Sequence, residues 1–284
     1  MYKTEMRNQN TTNIDKETTA GMLHLIQEEN YNAVKAIEPA IPSIEKACDM
    51  ITARMKKGGR LIYMGAGTSG RLGIVDASEC PPTYGVSSEL VSGIIAGGIE
   101  RMISAGESAE DDGELGISDL SKKQLTPNDT VLGISVAGDA AYVADALAYA
   151  RSHGCLTIGL TCNKESRLDT ETDISILTDT GAEVITGSTR MKAGSAHKMV
   201  LNMISTSVMI KLGHVYENMM INLKPLNIKL KNRMVSIVCE ILKCDTVKAT
   251  EFLNKHNWSI QAVVDNEKRE GISEIKILGA IENE

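Results

Sequence analysis

A glycine-rich turn between an expected strand and an expected helix could hold an anion. The segment Gly65–Arg71 reads GAGTSGR and follows the β-rich run RLIYM. Gly67 and its neighbouring glycines let the backbone turn, so that amide N–H groups and the hydroxyls of Thr68 and Ser69 can face an anion at the helix N-terminus. The segment lacks the lysine of a Walker A loop and the GxGxxG spacing. It therefore favours a phosphorylated small molecule over a nucleotide, although many such turns bind nothing.

A carboxyl group that could serve as a general acid is found in Glu79, shortly before the pair Pro81 and Pro82. Because proline disfavours helical backbone in the preceding residue, the sequence predicts that the helix after the glycine turn ends near Ser78. The helix dipole at a C-terminus favours the protonated carboxyl group, which suits proton donation. The plainer interpretation is a surface glutamate in a turn.

Candidate bases are found in the acidic run ESAEDD at positions 107–112. A carboxylate can remove an acidified C–H proton if it is held beside the substrate. The plainer interpretation is a solvated face or a helix start, and residue types alone do not choose among the four acids.

Two cations near an expected helix start indicate a second candidate anion site. The segment 186–195, TGSTRMKAGS, places Arg190 and Lys192 in the first turns of a long apolar helix predicted over 188–212. The dipole disfavours cations there unless they face an anion, and the hydroxyls can cap the helix. The alternative is that both cations pair with the chain's excess carboxylates.

Composition excludes several classes of function. The 284 residues carry a formal net charge of -7, and only 3% of them are aromatic, which argues against nucleic acid as a partner. No apolar run is long enough to cross a membrane and the polar first 15 residues lack a signal-peptide core, so a cytoplasmic protein is expected. The six cysteines show no metal-ligand spacing, which predicts reduced thiols and no metal site.

The elements that would position these groups alternate between strand and helix. Helical patterns fill 18–57, strands are predicted at 60–64, 89–95, 130–135, 155–160 and 173–177, and a helix is predicted over 140–152. This order predicts an α/β fold with a mainly parallel sheet covered on both faces and a ligand at the carboxyl ends of the strands. Short helices predicted at 246–255, 259–265 and 272–280 form a small C-terminal bundle, so we divide the chain into 1–225 and 226–284.

Four motifs together resemble the bacterial N-acetylmuramic acid 6-phosphate etherases. They are GAGTSGRLGIVDASECPPTYGV at 65–86, IIAGG at 94–98, AEDD at 109–112 with DL at 119–120, and EVITGSTRMKAGSAHKMVLNMIST at 183–206. The resemblance runs from about Glu5 to the C-terminus.

The resemblance implies a sugar isomerase (SIS) type three-layer α/β sandwich with N-terminal helices and a small C-terminal helical bundle like a ubiquitin-associated (UBA) domain. It implies a homodimer with no metal or organic cofactor, which cleaves the lactyl ether of a sugar phosphate with water. Glu79 matches the family's acid and Glu110 its base, while Gly67, Thr68, Ser69, Ser135, Arg190 and Lys192 are the expected phosphate and substrate contacts.

One segment departs from the family. Where the etherases usually read ASGRTPY, this chain has AGDAAY at 137–142 after Val136, so that two hydroxyl donors and a cation are missing. Asp139 adds a negative charge, which leaves three alternatives open: weaker phosphate binding through repulsion, a phosphate held by Ser69, Ser135 and backbone amides, or impaired catalysis. The departure leaves a competing interpretation open, a non-catalytic sugar-phosphate-binding regulator similar to the animal glucokinase regulatory protein. The presence of both Glu79 and Glu110 argues for the enzyme, because a sensor does not need an acid and a base.

Overall fold

The computed structural model describes residues 2–104 and 109–267. Within them the longer elements follow one another as the sequence predicts, from N-terminal helices through an alternating α/β region to C-terminal helices. In chain order they are α1 (Thr19–Lys35), α2 (Ile41–Met55), β1 (Leu61–Gly65), α3 (Gly67–Tyr84), β2 (Val91–Ile95), α4 (Gly113–Ser121), β3 (Thr130–Ile134), α5 (Ala141–Ser152), β4 (Leu156–Thr161), α6 (Arg167–Thr170), β5 (Ile174–Leu177), α7 (Lys192–Lys211), β6 (Val215–Tyr216), β7 (Met219–Met220), α8 (Ile228–Leu242) and α9 (Thr246–Lys255).

Five parallel strands form the central sheet in the order β2-β1-β3-β4-β5. Every residue of β1, β3 and β4 is buried, as expected for strands covered by helices on both faces. The edge strands β2 and β5 are only partly buried. The carboxyl ends of the strands therefore meet at one edge of the sheet, where the glycine turn follows β1 and the 135–140 loop follows β3.

The helix after the glycine turn is longer than the sequence predicts. It does not end near Ser78 but continues through Pro81 and Pro82 to Tyr84. Each proline removes one backbone N–H donor from the helix, yet the amide of Gly85 donates to the Pro81 carbonyl at 2.9 Å and closes the last turn. Glu79 thus lies five residues before the end of α3, and not at the helix C-terminus as the sequence predicts.

The described chain divides into two compact units, residues 2–78 with 88–104 and 109–208, and residues 79–87 with 209–267. The second unit has its own apolar core, to which α8, α9 and the helical residues 260–267 contribute. These positions confirm the helices predicted at 246–255 and 259–265, whereas the one predicted at 272–280 lies outside the described residues. The proposed division at 225/226 and the likeness to a UBA domain stay predictions.

Candidate active site

A cavity of about 270 Å³ lies in the first unit and joins several of the predicted residues. Its walls come from the glycine turn, the loop after β3, the turn before α4, the segment before α7 and the N-terminal segment. The lining residues are Glu5, Ala66, Gly67, Thr68, Ser69, Glu110, Ile134, Ser135, Val136, Ala137, Ala140, Thr189 and Gly194. Of the eight residues predicted for the site, Gly67, Thr68, Ser69, Ser135 and Glu110 thus share one cavity.

The glycine turn brings two backbone segments closer together than side chains would allow. Gly67 has a φ of +50°, in the left-handed region, and a Cβ atom at Gly70 would lie 2.5 Å from the Gly65 carbonyl oxygen. In the described residues neither the Thr68 nor the Ser69 hydroxyl is hydrogen-bonded to protein, so both are available to a ligand. The first turn of α3 therefore offers amide donors, two hydroxyls and the positive end of the helix dipole.

The loop after β3 supplies a third hydroxyl. The Ser135 Oγ accepts from the amide of Gly138 at 3.0 Å, which orients the side chain and leaves its O–H able to donate. Ala137 and Ala140 line the cavity, at two positions where the resemblance described above implies hydroxyl side chains. No lysine or arginine occurs among the described lining residues, so an anion there would be held by amides, hydroxyls and the dipole.

Asp139 does not line the cavity, so the cavity geometry gives no support to the expected repulsion of a phosphate, which stays a prediction. Its carboxylate accepts from the Arg167 amide at 2.8 Å, at the start of α6, and from the Tyr2 hydroxyl. The hydrogen bond to Asp139 raises the pKa of Tyr2 to about 12. Asp139 is therefore engaged with the N-terminal segment and α6.

Glu110 lies in the turn before α4 and is held through its backbone. Its carbonyl accepts from the amide of Tyr142, in the first turn of α5, at 3.0 Å. Asp112 then caps α4 by accepting from the amide of Leu115 at 2.9 Å. The exposed side chain of Glu110 lines the cavity beside the loop after β3, where a carboxylate could remove a proton from a ligand.

Lys192 is not among the residues that line this cavity. The side chains of Lys192 and Glu29 are only 2% and 4% exposed, and they form a buried ion pair. Burial raises the pKa of Glu29, but hydrogen bonds from Asn10 and Lys192 and the lysine charge reverse this, so the pKa is lowered overall. Of the two interpretations of this cation, pairing with a carboxylate is the one that the structure supports.

The backbone amides at the start of α7 are also hydrogen-bonded to a protein side chain. Glu183, fully buried, accepts from the amides of Lys192 and Ala193 at 3.1 and 3.0 Å and so caps the helix. Burial raises the pKa of Glu183. Arg190 precedes the helix in a turn, is exposed, and does not line the cavity. Phosphate contacts by Arg190 and Lys192 remain predictions without support from this cavity.

Glu79 is exposed on α3 and is not among the described residues that line the cavity. The predicted acid and base therefore do not share the lining of this cavity.

Two lining residues with polar side chains were not among the predicted contacts. Thr189 belongs to the hydroxyl-rich segment before α7, so its residue type could have indicated it. Glu5 lies at the cavity next to Thr4, which contacts Asn163, 159 positions away, and no local sequence pattern signals such a contact.

Within residues 2–104 and 109–267 no helix is both long and apolar enough to cross a membrane. In the same residues, no group of three or more His, Cys, Asp or Glu side chains could hold a metal ion.

Comparison with known proteins identifies the family. Residues 43–151 match the glucokinase regulatory protein N-terminal SIS domain, and residues 109–211 match the SIS domain. The chain is 51% identical to an N-acetylmuramic acid 6-phosphate etherase of Clostridium beijerinckii, over 92% of this chain and 86% of the relative. It is 50% identical to the enzyme of the same name in Bacillus subtilis, over 87% of this chain and 82% of the relative.

Solved structures share the fold at low sequence identity. A phosphoheptose isomerase from Francisella tularensis superposes with a TM-score of 0.51 at 16% identity, covering 68% of this chain and 98% of that one. The phosphoheptose isomerase of Neisseria gonorrhoeae gives 0.50 at 14% identity, covering 67% and 98%. The SIS-type parallel sheet predicted from the sequence is confirmed. With half of its residues identical to those of named etherases over about nine-tenths of its length, the chain belongs to the N-acetylmuramic acid 6-phosphate etherase family.

Proposed function

We propose that the chain converts N-acetylmuramic acid 6-phosphate and water into N-acetylglucosamine 6-phosphate and D-lactate. The observation that carries this function is the cavity that places the hydroxyls of Thr68, Ser69 and Ser135 beside the carboxylate of Glu110. High identity to etherases over nearly the whole chain supports the same reaction. The reaction belongs to peptidoglycan recycling and takes place in the cytoplasm, because a charged sugar phosphate crosses a membrane poorly.

The reaction is an elimination followed by addition of water. In the ring-opened aldehyde the carbonyl acidifies the C2 proton, which the Glu110 carboxylate removes while Glu79, protonated, donates to the ether oxygen on C3. The C3–O bond breaks, a C2–C3 double bond forms, and lactate leaves. Water then adds at C3 with the two carboxyl groups in reversed roles, so that atoms and charges balance.

Heavy-oxygen water tests this reaction. We expect incubation in H₂¹⁸O to give lactate without label and N-acetylglucosamine 6-phosphate with one ¹⁸O at C3, because the broken bond joins the ether oxygen to the sugar. Mass spectrometry of both products makes the measurement. Label in lactate would exclude elimination, and absence of lactate would exclude the etherase.

We propose further that the active unit is a homodimer in which a second copy supplies Glu79. The described lining of the cavity does not include Glu79 of its own chain. An apolar stripe on α1, formed by Leu23, Tyr31 and Val34, is 50 to 62% exposed and offers a surface for a partner.

Mixing two inactive variants tests the shared site. Glu79→Ala and Glu110→Ala, unfolded and refolded together, should regain about a quarter of wild-type activity, because random pairing forms heterodimers with one intact site. Each variant refolded alone is the control. No recovery, with heterodimers demonstrated by mass, would assign both carboxyl groups to one subunit, and a fully active monomer in sedimentation would exclude the dimer.

The altered loop offers a separate test of phosphate binding. Ala137→Ser places a hydroxyl on the cavity, and a hydrogen bond to a charged group contributes about 1.5–3 kcal/mol, so N-acetylglucosamine 6-phosphate should bind at least about tenfold more tightly. Asp139→Asn, which removes a charge outside the cavity lining, should leave the affinity unchanged. Calorimetric titration of both variants measures this. Tighter binding by Asp139→Asn would restore the repulsion hypothesis.

A further inference from the structure

The N-terminal segment, residues 2–11, is held against the first unit by contacts with residues that lie far from it in the sequence. The Asn8 amide donates to the Ala182 carbonyl at 3.1 Å, and the Thr11 hydroxyl donates to the Val184 carbonyl at 2.8 Å. Lys3 forms an ion pair with Asp179. This segment therefore has a defined position although it contains only single-turn 3₁₀ helices.

Thr4 anchors the segment next to the cavity. Its side chain is fully buried, and its Oγ1 accepts from the Asn163 amide at 2.9 Å. The same amide donates to the Val136 carbonyl, also at 2.9 Å, in the loop that lines the cavity. Asn163 thus links the N-terminal segment to the loop after β3. This link holds Glu5, the residue that follows Thr4, at the cavity.

Glu5 brings a second carboxylate into a cavity whose described lining contains no cation. Within the described residues no donor is hydrogen-bonded to this carboxylate, and its Oε2 lies 3.6 Å from the place that a Cβ on Gly187 would occupy. A carboxylate only accepts hydrogen bonds when ionised. It would repel the phosphate and the lactyl carboxylate of the substrate, so its natural partners are neutral donors on the sugar.

We propose that Glu5 is a specificity-determining residue whose carboxylate accepts a hydrogen bond from the C4 hydroxyl of the sugar. This inference rests on the proposed function, which supplies the substrate. The open-chain substrate carries free hydroxyls at C4 and C5 only. C5 adjoins the carbon that bears the phosphate, so a carboxylate beside it faces the stronger repulsion, and C4 is the better partner.

The test combines Glu5→Ala and Glu5→Gln with a substrate analogue that lacks the C4 hydroxyl. With the natural substrate we expect Glu5→Ala to lower kcat/KM about 10- to 100-fold, as for a hydrogen bond to a charged group, and Glu5→Gln, which keeps an acceptor, to lower it less. With the deoxy analogue wild type and Glu5→Ala should be equal. Glu38→Ala, which removes an exposed carboxylate elsewhere, controls for net charge.

Further results distinguish a failure of the Glu5 proposal from a failure of the proposed function. An unchanged kcat/KM in Glu5→Ala would overturn the role of Glu5. So would a Glu5→Ala substitution that lowers kcat/KM for the deoxy analogue by the same factor as for the natural substrate. If wild type releases no lactate, the proposed function fails, and binding then tests Glu5 separately. Glu5→Ala should weaken binding of N-acetylglucosamine 6-phosphate by the same factor but leave inorganic phosphate binding unchanged. Equal affinities of wild type and variant for the sugar phosphate would exclude the hydrogen bond.

Discussion

Glu110→Ala is expected to release lactate about 100- to 10,000-fold more slowly than wild type, which is the range for loss of a positioned acid or base. It should also fail to exchange the C2 proton with heavy water, because no other group in the proposed mechanism removes that proton. Lactate assay and NMR of the sugar in D₂O measure the two rates. The neighbouring Asp111→Ala, an exposed acid outside the cavity lining, is the matched control and should keep wild-type activity.

Glu79→Ala should separate the two halves of the reaction. Lactate release falls by a similar factor because the leaving oxygen is not protonated, while exchange at C2 continues because Glu110 is intact. Equal exchange rates in the two variants would refute the assignment of roles. The comparison does not depend on how the two subunits are arranged.

The second large effect concerns stability. Lys192→Met removes the charge that faces Glu29 and leaves a buried carboxylate without its cation, which costs about 3–5 kcal/mol in the free energy of unfolding. Urea denaturation measures this loss. The double variant Glu29→Gln, Lys192→Met should recover most of it, because no unpaired charge remains. As a control, Lys122→Met removes an exposed ion pair with Asp119 and should change stability by less than about 1 kcal/mol.

The pH dependence of this effect has a definite sign. In wild type the pKa of Glu29 is lowered from 4.5, so its contribution to stability is present above pH 4.5 and is lost as the pH falls through the folded-state pKa. In Lys192→Met the same carboxyl group is buried without its cation, which raises its pKa, so acid relieves the penalty. The two stability curves should therefore converge in acid. Parallel curves would mean that Glu29 is not charged in the folded protein.

The fold was predictable where the sequence pattern is local. Buried strands such as β1 and β3 are short apolar runs bounded by glycine or polar residues, and the alternation with helices specifies a parallel sheet. The end of α3 was not predictable from the sequence. The local sequence shows only that two prolines destabilise a helix, whereas tertiary packing, which the local sequence does not show, stabilises this helix. The start of α7 was misplaced by four residues, since its cap is Glu183, nine positions upstream of Lys192.

The site was predictable only in part for the same reason. Thr68 and Ser69 lie in a motif whose geometry follows from the glycines around them. Lys192 has the residue type and position of an anion ligand, and only the folded chain shows that Glu29, 163 positions earlier, takes its charge. Asp139 likewise has the charge to repel a phosphate, but its direction is set by Tyr2 and by the amide of Arg167. Charge can be read from sequence, whereas orientation requires the contacts.

The contacts of the N-terminal segment with residues late in the sequence affect the order in which the cavity forms during synthesis. The residues that hold this segment, Asn163, Ala182 and Val184, are synthesised 159 to 174 positions after their partners. At about 5–20 residues per second the segment waits roughly 8–35 s before its docking surface exists. The cavity is therefore completed late during synthesis, and chains truncated before Val184 would form much of the sheet without acquiring the full cavity wall.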